Sequence, residues 1–585
     1  MLLFGQLILV FIGSGLEIIG IGIIIPFIAM LSNPGIIQEH WFLQKVYILF
    51  HFSSDKNFLI GVCFFLMAVF VFKNLYLFFV QYTQTRFFAN KTVDLESYLL
   101  VAYLSQPYSF FFQHNKSELL NIVIKGVGTF IDRFTKPILV LTAELITIIG
   151  ILSVMLIMDP MPMLAVLSSV GLLIFLTISL IQKKLVKAGK EMYFYQQNTI
   201  KWANQSIDSI KENKVFGKLN YFINKYKEYA YKNSRKSVYV SLVNFTPRLL
   251  IESFIFIGIF GFIIFVLLKE IDLRSIIPIL AFLGVAAVRI LPSTTKIMNS
   301  IMSIKQSSYV VQEIYNQLKF AKESISNTEE RSFNSIDFKN EIQLKNLVFT
   351  YDGAHEKALS GVNLTIKKGQ SVAFVGTSGA GKSTLADILL GLLTCEKGSV
   401  LIDSKEFNRL NIDDWRKKIG YIPQAIYLLD TSIKENIAFG FNHDEIDDEK
   451  VWKALKIAQL DSFVKNLPQQ LETLTGENGI SISGGQRQRI GIARALYHDP
   501  EILIFDEATS ALDNETEGEL NKAIESLARK KTLIIIAHRM STVENCDFLY
   551  YMENGKVVDS GPFNDLLKRN SEFRKLAKQA LVNES

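Results

Sequence analysis

Three cysteines in 585 residues (Cys63, Cys395 and Cys546) stand far apart and form no CxxC pair. That rules out a disulfide framework and gives no support for a structural zinc site. Charge is also scarce: Asp, Glu, Lys and Arg make up 20% of the chain, below the roughly 25% of ordinary soluble domains. The basic excess is only +6, which an anionic membrane surface accounts for as well as a polynucleotide does, so no nucleic-acid partner is expected. No positively charged segment precedes the first apolar run, and no cleavage-type small-residue site follows it, so a removable signal peptide is not expected. Internal repeats and low-complexity tracts are absent too. What is present in excess is apolar: 49% hydrophobic residues including 44 Phe, and a mean hydropathy of +0.25. Such an excess belongs in lipid or in a very large core, and the length excludes a single small module.

The excess is confined to one half. Residues 1–310 carry apolar runs near 2–31, 58–88, 138–158, 163–182, 248–268 and 276–292, each long enough for about 30 Å of hydrocarbon. They predict six membrane helices, with Asp159, Pro160, Met161 and Pro162 turning the chain between the third and fourth. The segment 183–236 is rich in Lys whereas 159–162 has none, which places the former in the cytoplasm and, with six spans, both chain ends with it. The polar intervals 89–137 and 183–247 keep helical spacing and predict helices that run on beyond the membrane, since structureless loops of that length are uncommon. Residues 311–340 read as a linker, and 341–585 as a charged α/β domain.

The α/β domain holds the chemistry. The apolar strand Ser371 to Val375 leads into Gly376, Thr377, Ser378, Gly379, Ala380, Gly381, Lys382, Ser383 and Thr384, and then into a helical run. Strand, glycine-rich loop and helix stand in the order a phosphate-binding loop needs. Backbone N–H groups close round the phosphates at the helix N-terminus, Lys382 reaches the β and γ oxygens, and Ser383 offers its hydroxyl to Mg²⁺. Downstream, the apolar stretch Ile502 to Phe505 ends in Asp506 and Glu507. Carboxylates at the C-terminal end of a strand beside such a loop suit metal binding by Asp506 and orientation or deprotonation of a water by Glu507. A second glycine-rich turn, Ile482, Ser483, Gly484, Gly485 and Gln486, opens another helix.

With that turn the chain resembles the ATP-binding cassette family, whose signature is LSGGQ; Ile482 takes the leucine place. The whole chain resembles an exporter half-transporter, an all-α membrane domain of six helices followed by an α/β P-loop cassette. The resemblance implies an aromatic at Tyr351 stacking on adenine, a metal-sensing Gln424, Asp513 within Ser510-Ala511-Leu512-Asp513, and a switch histidine at His538 contacting the γ-phosphate. It implies ATP and Mg²⁺ as cofactors, with Ser383, Gln424 and Asp506 at the metal and Glu507, Gln424 and His538 in catalysis. In that family the signature turn of one subunit completes the phosphate site of the other. A chain with one full motif set therefore implies a homodimer with two equivalent sites. Helices near Tyr103 to Phe112 and near Asp208 to Lys218 correspond to the family's coupling elements.

Charges inside the apolar half (Glu17, Lys73, Arg86, Arg133, Glu144, Arg248, Glu252, Arg289 and Lys296) are costly in lipid and usually face an interior cavity. Arg248, Arg289 and Lys296 are the candidate substrate contacts, because arginine matches phosphate oxygens. The alternative is that Arg248 pairs with Glu252 one turn on and Arg289 snorkels to the interface. Ile36 to Phe52 interleaves Trp41, Phe42, Val46, Tyr47, Leu49 and Phe50 with polar residues and reads either as an external interfacial helix or as an extension of its neighbours. An external helix with arginines in the fifth and sixth spans resembles the lipid-linked oligosaccharide flippases of bacterial N-glycosylation. The resemblance implies ATP-driven flipping of a polyprenyl-pyrophosphate oligosaccharide across a bacterial inner membrane, its lipids being further partners. Export of peptides, drugs or other lipids is the alternative cargo, and a gated channel or a soluble cassette ATPase the alternative class.

Overall fold

The computed structural model describes residues 2–584 except 33, 159, 269–272, 330–334, 409–410, 477–478, 480–481, 507–517, 519–524, 526 and 537–539, with further residues inside helices, Arg289 among them, described by backbone alone. The chain forms two compact units, Met1–Gln106 with Gln113–Ser326, and Pro107–Phe112 with Asn327–Ser585.

In the first unit, six helices cover the six apolar runs: Leu2–Ser32, Asp55–Leu104, Lys136–Met158, Pro160–Asp208, Leu219–Leu268 and Leu273–Gln306. On the described residues alone, three stretches are long and apolar enough to cross a membrane: Asp55–Leu104, Lys116–Ser153 and Leu219–Gly261. Their outer faces are apolar: Phe64, Phe72 and Phe78 on the second helix are exposed, Phe78 by 73%. A soluble protein would bury them; a lipid-facing helix need not.

The inside is held by close backbone approach and by hydrogen bonds. A Cβ at Gly150 would lie 2.1 Å from Ile18 Cδ1, and one at Gly189 would lie 2.1 Å from the Gln306 carbonyl oxygen, so small residues set how near these helices come. Two π-helical turns, Ile122–Gly126 and Ile131–Thr135, interrupt the helix between Lys116 and Met158. A π-turn loosens the ladder and leaves carbonyls to be satisfied elsewhere. The Arg133 carbonyl accepts from Ser303 Oγ at 3.0 Å and Ser307 Oγ at 3.2 Å on the following elements.

The polar intervals are helical beyond the apolar runs, as their spacing predicts. The second helix continues to Leu104 and is followed by a short helix, Phe110–Gln113; the fourth continues to Asp208 and is followed by Ile210–Val215. Ile36–Glu39 and Trp41–Leu49 are separate short helices rather than extensions of their neighbours. They bury Ile37 against Met30 and Phe58 while Trp41, Phe42, Leu49 and Phe50 stay exposed. The stretch read as a linker is helical over Ser308–Glu329. Its Val310, Ile314 and Ala321 are buried, and three apolar contacts on one face suffice to dock a helix whose other faces carry many polar residues.

The second unit contains two sheets. β1 (Glu341–Phe349), β2 (Leu359–Lys367), β4 (Lys397–Ile402) and β5 (Lys405–Glu406) form an antiparallel sheet in the order β2-β1-β4-β5. β3 (Ser371–Gly376), β6 (Ile419–Ile422), β7 (Ile502–Asp506), β8 (Thr532–Ile536), β9 (Phe548–Glu553) and β10 (Lys556–Gly561) form the other, in the order β10-β9-β3-β8-β7-β6. From β9 to β6 the neighbours are parallel. Parallel strands covered on both faces must be apolar throughout; all of β3 and β8 is buried. Because these strands run the same way, the C-terminal ends of β3, β8, β7 and β6 lie along one edge of the sheet, where doubly covered sheets bind their ligands.

Candidate functional site

The loop after β3 is shaped by glycine where other residues fail. Gly381 has φ +96°, and a Cβ there would meet the Ala358 carbonyl oxygen at 2.6 Å; Gly379 has φ +80° with nothing within 4 Å of the missing Cβ. Positive φ at both positions turns the backbone into a cradle that ends at the helix Lys382–Leu389, and the open side at Gly379 leaves room for a ligand to approach the main chain. Thr377, Ser378, Gly379 and Ser383 are exposed, whereas Ala380, Lys382 and Thr384 are buried. Lys382 Nζ donates to the carbonyls of Gly376 (2.8 Å) and Thr377 (2.9 Å), which holds a cation within the loop. A concave backbone, a helix N-terminus and a fixed ammonium fit a nucleotide phosphate chain.

The residues expected at the metal stand at the same sheet edge. Asp506 ends β7 and accepts a hydrogen bond at Oδ2 from the Tyr421 hydroxyl of β6, 3.3 Å away. Burial and the charge of Asp506 push the Asp387 carboxyl of the loop helix up to about 6. Burial, then the two carboxylates, raise the Tyr421 phenol above its ordinary range, which keeps it a donor. Asp387 and Tyr421 were not among the residues singled out from sequence, for no motif marks them; only the parallel pairing of β6 with β7 brings Tyr421 to Asp506. Hydroxyl, carboxylate and amide oxygens at Ser383, Asp506 and Gln424 are the hard donors Mg²⁺ takes. Gln424 follows β6 by two residues and is exposed.

Tyr351, just after β1, shares a hydrogen bond with Thr384 (Tyr351 Oη to Thr384 Oγ1, 3.0 Å). Its ring meets Phe349 edge-on at 5.0 Å and Phe112 at 5.9 Å between centroids. Phe112 belongs to Pro107–Phe112, which packs within the second unit. Ser483 caps the helix Gly484–Leu496: its Oγ accepts from the Gln486 N–H (3.2 Å), and Gln486 Oε1 accepts from the Ser483 N–H (3.0 Å). This reciprocal box needs Ser and Gln three apart, and leaves Ser483 and Gly484 exposed over a buried Ile482. Glu507, Asp513 and His538 lie outside the described residues.

In the membrane unit, Lys296 Nζ contacts Glu144 Oε1 at 2.5 Å. Arg248 is exposed, and among the described residues it forms no ion pair with Glu252, so that local pairing does not occur. The side chain of Arg289 lies outside what is described.

Comparison with known proteins places this geometry. Residues 359–510 match the family model "ABC transporter", and residues 22–288 match "ABC transporter transmembrane region". The chain is 33% identical over 486 residues to the ATP-dependent lipid A-core flippase of Francisella tularensis subsp. tularensis (strain FSC 198), covering 81% of this chain and 78% of that protein. It is 29% identical over 489 residues to the ATP-dependent lipid A-core flippase of Pseudomonas fluorescens (strain Pf0-1), covering 83% and 79%. A solved bacterial Atm1-family ABC exporter with ATP bound superposes with a TM-score of 0.78 at 21% identity, over 99% of this chain and 98% of that one; at that identity the likeness speaks for the fold. The P-loop cradle, the helical membrane unit and these relatives together make the chain a member of the ATP-binding cassette transporter family, an exporter half-transporter whose ATPase drives transport across a membrane.

Proposed function

We propose that two copies of this chain form a homodimeric flippase in a bacterial inner membrane, with the cassettes in the cytoplasm, moving a polyprenyl-pyrophosphate oligosaccharide from the inner to the outer leaflet. The observation that carries the lipid reading is the relationship to lipid A-core flippases over most of both chains. The external helices Ile36–Glu39 and Trp41–Leu49, with their exposed Trp41, Phe42 and Leu49, offer a surface suited to a prenyl tail. Arg248, Arg289 and Lys296 would meet the pyrophosphate.

In this reading Tyr351 stacks on the adenine, and the backbone from Gly376 to Thr384 holds the phosphates with Lys382. Ser383, Gln424 and Asp506 hold Mg²⁺, and Tyr421 fixes the Asp506 carboxylate. When bound, Mg²⁺ neutralises charge on the phosphate oxygens. Glu507 orients or deprotonates the attacking water, and His538 contacts the γ-phosphate. Ser483, Gly484, Gly485 and Gln486, with Asp513, complete the partner's site. Closure on ATP and release after hydrolysis would give the two states that alternating access needs.

The relatives favour one second reading: cargo of the lipid A-core type. Stimulation of ATP turnover separates the two in reconstituted protein. The proposal expects the lipid-linked oligosaccharide to stimulate at lower concentration than lipid A-core; the reverse order assigns the second cargo.

A further inference from the structure

Glu144 and Lys296 are 152 positions apart in the chain and bring the helices Lys136–Met158 and Leu273–Gln306 together. Glu144 lies roughly two turns, about 9 Å, inside the apolar run that begins at 138, where an ionised side chain is costly and usually serves a function. Its side chain is 8% exposed while that of Lys296 is 54% exposed, so the pair runs from the bundle interior to its surface. Among the described residues Glu144 Oε2 has no hydrogen-bond partner, which leaves Lys296 as the one compensating group for a buried carboxylate. Parting them would strand that charge, at a cost far above that of parting an exposed pair.

We propose that Glu144 sets the charge selectivity of the cargo site by acting through Lys296. It anchors the ammonium and cancels most of its field, so that a passing anionic head group meets two remaining N–H donors rather than a full positive charge. A bare lysine in this setting would hold phosphate too long to release it; a missing lysine would not hold it at all. This makes Glu144 a positioning residue and rests on the flippase reading for the place of Lys296 at the cargo site and for the identity of the cargo.

The test is a double-mutant cycle on the full-length protein in nanodiscs, reading Kd for three probes: polyprenyl-pyrophosphate oligosaccharide, phosphatidic acid and phosphatidylcholine. Glu144→Gln should tighten binding of both anionic probes about tenfold and Lys296→Gln should weaken it about tenfold, with phosphatidylcholine moving less than twofold. The two substitutions should not add: with the ammonium gone, Glu144→Gln has no charge to unmask, so the double variant should lose the tenfold tightening and bind the anionic probes more weakly than wild type. An unchanged Kd in Glu144→Gln, or a double variant that binds the anionic probes as tightly as wild type, overturns the inference. If Lys296→Gln, which strands the Glu144 carboxylate, does not fold, the neutral double variant compared with Glu144→Gln still decides it. Should the oligosaccharide bind no tighter than phosphatidic acid, the cargo reading fails while the phosphatidic acid series alone decides the role of Glu144.

Discussion

Asp387 is a carboxyl inside an anion-binding helix, and its titration gives the cassette a pH signature. Its ordinary value of 3.8 is raised to about 6, first by burial and then by Asp506. The fold therefore favours the protonated form. That stabilisation is complete below about 3.8 and is lost as the pH climbs through about 6. Asp387→Asn removes the charge at all pH values, so its unfolding curve in EDTA should match wild type near pH 4. It should exceed wild type at pH 7.5 by ~1 kcal/mol, a figure discounted for a group that keeps some contact with solvent. Equal stabilities at pH 7.5 would mean that Asp387 ionises as an ordinary surface carboxylate. A second residue-scale prediction concerns Gly376, whose Cβ would lie 2.1 Å from the Met552 carbonyl oxygen on the neighbouring strand β9. Gly376→Ala should cost the cassette ~1–3 kcal/mol by forcing two paired strands apart, read as a fall in its denaturation midpoint.

Elements pack where backbone can approach backbone. On the fourth membrane helix, Gly189 faces the Gln306 carbonyl at 2.1 Å from its missing Cβ, while Gly171 on the same helix has nothing within 4 Å. Gly189→Ala should lower the thermal midpoint of the detergent-solubilised protein by several degrees. Gly171→Ala should leave it unchanged or raise it slightly, since alanine is the better helix former; equal effects would contradict the packing. The same scale separates what could be read from sequence from what could not. The six membrane helices and their polar continuations were readable because each is a local pattern of apolar length and helical spacing. The phosphate loop and the strand ending in Asp506 were readable because the motif and its flanking strand lie within one short stretch. The helix Ser308–Glu329 was not, because its three buried residues are hidden in a polar composition. The contacts of Tyr421 with Asp506 and of Glu144 with Lys296 join residues 85 and 152 positions apart. Only the register of a parallel sheet and the crossing of two helices create them.

At the scale of the whole molecule, an ATPase unit and an apolar helical unit on one chain make sense only if turnover in one changes access through the other. Glu507 follows the strand that carries Asp506 and is proposed to orient or deprotonate the water, so Glu507→Gln should keep ATP binding and lose at least 100-fold in ATP hydrolysis, with the closed dimer accumulating. The most direct test of the account is transport itself: ATP-dependent translocation of a labelled polyprenyl-pyrophosphate oligosaccharide in proteoliposomes, with Glu507→Gln as the control. The account predicts label moving across the bilayer with wild type and ATP, and none with the variant; movement that persists in Glu507→Gln, or no movement beside robust ATP hydrolysis by correctly oriented wild type, would contradict it.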